Sequence, residues 1–185
     1  MMPSGEKSSG RQRPAARHRR LGRGNAGISE DPASNRCRLF LEEILLVCLC
    51  FAATQKLELE WKKHGGLFAR HWVRSMFAKK KLDRFDLAHD ERLRAPILTV
   101  ARSEGEGQQM LKDAHLIEAA VELGSPVVSL DDRARNSFKE AARVVRRLRS
   151  VVWVNPTADE ENPLEWLRNG AQSEAVRCLG FGVAD

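Results

Sequence analysis

Two aspartates in the second half of the chain occupy positions where a carboxylate needs an explanation. Asp113 falls within residues 107–123, a stretch whose helical periodicity puts Met110, Ala114, Ile117 and Val121 on one face, and it borders that stripe instead of pointing away from it. Asp131 and Asp132 follow directly on a short apolar run, residues 126–130 (PVVSL). In an open parallel sheet, ligands collect beyond the carboxyl ends of the strands. Carboxylates brought together there repel one another unless a cation neutralises them, and oxygen donors without Cys or His select a hard ion such as Mg2+ or Mn2+. The same residues have a plainer reading, in which Asp131 caps a helix and Asp113 pairs with Lys112 or an arginine. Local pattern leaves both open.

The elements that must position these groups are clearest in this half. A helix over 107–123 is stopped by Gly124, and PVVSL reads as a buried strand. Asp131 or Asp132 opens a second helix with Phe138, Ala142, Val145 and Leu148 on its buried face, and residues 151–154 (VVWV) form another apolar run. Helix, strand, helix and strand with short connections predict an α/β fold with a parallel sheet, whose strands are apolar on both faces. Asn162 and Pro163 open a short last helix, residues 164–169.

The first half reads as rich in helix. From Cys37, the residues Phe40, Leu41, Ile44, Leu45, Cys48 and Phe51 return at helical spacing and predict one buried helix. Residues 55–64 (QKLELEWKKH) fit either alternation or a helical face, and helix is favoured. Gly65 and Gly66 break it, and residues 67–81 form an amphipathic helix with Phe68, Trp72 and Met76 on one side. Residues 83–106 are poorly patterned. Residues 97–100 have strand composition, whereas Asp90 followed by Glu91 reads as a helix start.

The chain has 185 residues, enough for one domain and a tail. Its formal charge of +6 resides in residues 1–27, where Lys7, Arg11, Arg13, Arg17, Arg19, Arg20 and Arg23 face Glu6 alone, and the remainder is neutral. Residues 1–35, rich in Gly, Ser, Pro, Ala and Arg, are expected to be a disordered basic tail. Cys37, Cys48, Cys50 and Cys178 form no CxxC pair, and the five histidines are scattered. Neither a disulfide framework nor a tetrahedral zinc site is implied, and unpaired thiols suit the cytoplasm. Residues 44–53 (ILLVCLCFAA) are too short to span a bilayer and are preceded by Glu42 and Glu43 where a signal peptide carries bases. The absence of GxSxG and P-loop sequences excludes the serine-hydrolase and P-loop nucleotide-binding classes that those motifs mark. His115, beside Asp113 on the same helix, points about 100° away from it and reads as a surface residue.

Basic side chains crowd a second region. Lys62, Lys63, Arg70, Arg74, Lys79, Lys80, Lys81 and Arg84 are interleaved with Phe68, Trp72 and Phe77, a pattern that offers phosphate contacts and stacking faces to RNA. The alternative is an ordinary amphipathic helix, with aromatics inward and cations in water.

Over residues 37–156 the chain resembles a PIN domain, the fold of metal-dependent ribonucleases. The segment LKDAHLIEAAVELGSPVVSLDDRARNSF carries the likeness: an Asp on a helix, a Gly turn, an apolar strand and an Asp directly after it. Asp113 and Asp131 match the two acids, and Glu60 in LELEW, with Glu58 as its neighbour, matches the helical acid upstream. The family's first strand ends in an Asp. That strand is missing ahead of Cys37, where Asp31 has no apolar run to carry it.

The resemblance implies a PIN-like three-layer fold, a central parallel sheet flanked by helices, over residues 36–157, with 158–185 a short helix and tail. It further implies that Glu60, Asp113 and Asp131, with Asp132 in reserve, bind Mg2+ or Mn2+, lower the pKa of a bound water and support in-line attack on an RNA phosphodiester. Arg70, Arg74, Lys79 and Lys80 are the candidate RNA contacts. Expected partners are RNA, an antitoxin-like protein and a second copy in a homodimer, with no membrane. The alternative to a toxin-like ribonuclease is a non-catalytic relative that binds RNA or another protein.

Overall fold

The computed structural model describes residues 15–16 and 31–183. In chain order the elements are β1 (Ala15–Ala16), α1 (Pro32–Leu46), β2 (Phe51–Thr54), α2 (Gln55–His64), α3 (Leu67–Ala78), β3 (Leu82–Phe85), α4 (Glu91–Thr99), α5 (Glu104–Leu123), β4 (Val127–Val128), α6 (Asp132–Val144), β5 (Trp153–Val154) and α7 (Pro163–Arg168). The class is mixed α/β, and the strands of both small sheets run parallel. One ladder joins β2 to β3, and the other has β4 between β1 and β5. β1 also lies against β2, so the two sheets adjoin.

The second half follows its sequence pattern. Ser103 caps α5 by accepting from the Glu106 amide, while the Glu106 carboxylate accepts from the Arg102 amide at 2.8 Å, so two free amides at the helix start are satisfied. At the other end Gly124 takes a left-handed conformation, φ 59°, which a residue without Cβ adopts at least cost. β4 and β5 are buried throughout, as their unalternating valines require, and the ladder continues through Val127 N to Val152 O (2.8 Å) and Ser129 N to Val154 O (3.1 Å). The second helix ends earlier than its stripe suggests. α6 stops at Val144, and Arg146–Leu148 form a 3-10 turn that buries Leu148.

The first half departs further from expectation. A single helix does not run from Cys37 through Phe51: α1 spans Pro32–Leu46, with Asp31 as its cap, and Phe51–Thr54 form a fully buried strand. An uninterrupted apolar run satisfies a buried strand as well as a buried helix. The break is fixed from outside, because the Lys81 ammonium donates to the carbonyls of Ile44 (3.2 Å), Leu45 (2.9 Å) and Val47, the open acceptors at the end of α1. α2 forms as read, with Thr54 capping it. α3 stops at Ala78, and after Lys80, at φ 55°, the chain enters the unforeseen β3. Residues 97–99 belong to α4, so the strand reading of residues 97–100 fails.

The expectation that a first strand is missing is corrected by Ala15–Ala16, which pair in parallel with Val127–Val128. Asp31 caps α1 and residues 32–35 begin it, and apart from Ala15–Ala16 the remainder of the expected basic tail lies outside the described residues. At the other end, residues 158–183 are no loose appendage. Trp166, Leu167 and Leu179 join the core, α7 packs on α1, and Val152 bridges Cys178. The core also holds an aromatic group in which Phe51, Trp61 and Trp72 stand 5.3–5.5 Å apart, centroid to centroid.

Candidate functional site

The carboxyl ends of β4 and β5 carry a polar network. After β4, Ser129 is buried and its hydroxyl accepts from the Asp131 amide at 3.1 Å. Asp131, 6% exposed, caps α6, its Oδ1 accepting from the Ala134 amide at 3.0 Å. Asp132 is exposed and its Oδ2 accepts from Asn155 Nδ2 at 2.9 Å. Asn155 ends β5 in an Asx turn, its Oδ1 accepting from the amide (3.0 Å) and hydroxyl (2.8 Å) of Thr157. The strand ends are thus tied to each other through Asp132 and Asn155.

Asp113 is fully buried on α5, and Gln109, one turn earlier, donates to its Oδ2 at 3.0 Å. The Lys56 ammonium reaches from α2 to the neighbouring Lys112 carbonyl at 2.6 Å, which draws α2 onto α5. Glu60 is half-buried on α2, while Glu58 pairs with Arg84 at 2.6 Å. Among the described residues, no group of three or more His, Cys, Asp or Glu side chains is placed to hold a metal ion. Glu60, Asp113, Asp131 and Asp132 therefore do not form such a group.

His115 is not a surface residue: it is 6% exposed, with Nδ1 against the Lys112 carbonyl at 2.9 Å. The physical reason is that every residue from Asp113 to Ala120 is buried, so this stretch of α5 has no solvent face for His115 to occupy. The four cysteines are free thiols. Burial above all, with Asp31 adding to it, pushes the Cys37 thiol up to about 11, so it remains protonated and inert.

The basic candidates Arg70, Arg74, Lys79 and Lys80 are all exposed along α3 and the turn after it. Of the aromatics interleaved with them, Trp72 belongs to the core, where its indole N–H donates to Leu41 O, and Phe68 is half-buried beneath Arg38. Phe77 is 64% exposed, with the Arg84 guanidinium 6.0 Å from its ring centre.

Pattern reading passed over Asn155 and the ion-pair group in which Arg135 and Arg177 both meet Glu161. The dipeptide Asn155-Pro156 after an apolar run was the available signal for the first. Arg177 gave none, since its burial follows from how the chain end folds back. No helix among the described residues is long and apolar enough to cross a membrane. No family model, curated protein or solved structure matches the chain.

Proposed function

We propose that the chain is a PIN-like α/β protein that binds single-stranded RNA, and that its acids at the strand ends serve the fold. The observation that carries the RNA reading is the row of exposed cations, Arg70, Arg74, Lys79 and Lys80, along α3 and the turn after it. Such a row gains affinity from phosphates by releasing their counterions. The PIN-like reading is supported by the parallel pairing of β1 with β4 and of β4 with β5, with the parallel β2–β3 ladder adjoining β1. Asp131 stands at the carboxyl end of β4, the end at which open α/β sheets receive ligands.

As placed, the described carboxylates do not fit a resident divalent ion. Asp131 and Asp132 each spend an oxygen on a protein N–H, Asp113 does the same with Gln109, and no three donors converge. β1 is followed by Arg17 and His18, not by the Asp with which the first strand of the PIN pattern ends.

A metal-dependent ribonuclease, with the antitoxin-like partner and homodimer that accompany it, is the second reading. It is favoured by the burial of both Asp113 and Asp131 on the helices that flank β4, since a buried carboxylate requires compensation. The test is a labelled single-stranded RNA incubated with the protein in Mn2+ or in EDTA. Binding of equal strength in both, without cleavage, is the expected result. Mn2+-dependent cleavage lost in a folded Asp113→Asn variant would establish the nuclease instead.

A further inference from the structure

The β2–β3 ladder carries a cleft on one face. Phe51 and Ala53 alternate with Ala52 and Thr54 along β2, and their register partners are Leu82 and Arg84, so these four residues share a side of the ladder. α2 walls the space with Leu57 and Trp61, α3 with Ala69 and Val73, and the open cleft between them has a volume of about 530 Å³. The interior is apolar and the rim is basic: Lys62, Arg70, Arg74 and Arg84 surround it. Glu58, the acid among the lining residues, is held by Arg84. Lys62, Arg70 and Arg74 make no ion pair with a described residue, so the rim carries uncompensated positive charge.

We propose that this cleft takes one nucleotide of the bound RNA, the base in the apolar interior and the phosphate among Lys62, Arg70 and Arg74; the inference rests on the RNA reading above. An aromatic group joined to an anion complements an apolar space with a cationic rim. The volume lies within the range of about 300–1,000 Å³ typical of sites for small molecules, and a docking helix would instead require a row of anchoring positions for side chains three and four apart. The second carboxylate oxygen of Glu58 offers an acceptor to a base's exocyclic amine.

Calorimetry with nucleoside 5′-monophosphates and with inorganic phosphate, beside anisotropy with a labelled single-stranded RNA, tests this. Three proteins are compared: the unaltered chain, Val73→Phe, which fills the cleft and keeps its charge, and Arg70→Glu/Arg74→Glu, which reverses two exposed rim charges. The proposal expects monophosphates to bind the unaltered chain at least ten-fold more tightly than phosphate. Both variants, shown by cooperative melting to be folded, should lose at least ten-fold in affinity for monophosphate and for RNA. Equal RNA binding by the unaltered chain and Val73→Phe would overturn the cleft proposal and leave the RNA reading standing. Monophosphate binding without RNA binding would overturn the RNA reading and retain the pocket for a free nucleotide. Capture of an acidic amphipathic peptide, with no nucleotide binding, would overturn the proposal in favour of a protein partner.

Discussion

Arg94 grips Glu118 with a fork: Nε meets Oε1 at 2.6 Å and Nη2 meets Oε2 at 2.8 Å, pinning α4 to α5. The Asp90 amide adds a third bond to the same carboxylate at 2.9 Å. Burial acts to raise the Glu118 pKa, but the bonds from Arg94 and Asp90, with the charges of Arg94 and His89, outweigh it, and the net displacement is downward. Both side chains are largely buried, so the pair is a structural clamp on the helix that also carries Asp113.

Removing one partner strands the other. Arg94→Ala should cost about 3–5 kcal/mol, the usual penalty for an uncompensated buried charge, measured by urea denaturation at neutral pH. A loss below about 1 kcal/mol, the scale of an exposed pair, would mean that Glu118 finds water or another cation.

The same pair sets a pH dependence. A carboxyl whose folded pKa lies below its unfolded value of about 4.3 adds stability that is fully present above that value and is lost as pH falls through the folded pKa. Glu118→Gln should therefore flatten the acid limb of the stability curve, and an unchanged limb would show that other carboxylates set it.

Asp131 provides a direct contrast between cap and ligand. Asp131→Ala should cost about 1 kcal/mol through loss of the α6 cap, and Asp131→Asn, which still offers an oxygen to the Ala134 amide, should cost much less. RNA affinity should be the same in both. Loss of RNA binding in the folded Asn variant would give Asp131 a role beyond the cap.

The returning chain end has its own test. Gly180 lies so close to Arg149 that an added Cβ would stand 2.6 Å from the Arg149 Cβ and 2.8 Å from its Cα. The approach is held by Leu179 N to Val151 O at 2.9 Å and Gly180 N to Arg149 O at 3.1 Å. Gly180→Ala should push this segment off the core, lowering the melting temperature and exposing residues 170–183 to protease. Resistance equal to that of the unaltered chain would contradict the tight docking.

How much of this could be read from the residues varied with how many local signals agreed. For α5, β4 and α6 the apolar periodicity, the Gly124 turn and the Asp131 cap all point one way, and the elements appear there. β1 is two alanines in a Gly-, Pro- and Arg-rich segment, and it is a strand because Val127–Val128 offer it a partner. That information lies 112 residues away. β2 was hidden inside an apolar run whose break depends on Lys81, and β3 is a half-exposed edge strand with a weak pattern. At the site, the border position of Asp113 gave away its burial. His115 shared no such signal, because periodicity cannot rank the faces of a helix segment that is buried all round. The link from Asp132 to Asn155 required knowing that β5 lies beside β4.

The most direct test of the account is the salt dependence of single-stranded RNA binding in EDTA, comparing the unaltered chain with a variant carrying Ala at Arg70, Arg74, Lys79 and Lys80. The account predicts tight binding at low salt with a steep negative slope of log K against log salt, and a slope shallower by about 0.7 for each phosphate that the variant no longer neutralises. An identical slope in the two proteins, or no binding by the unaltered chain at low salt, would contradict it.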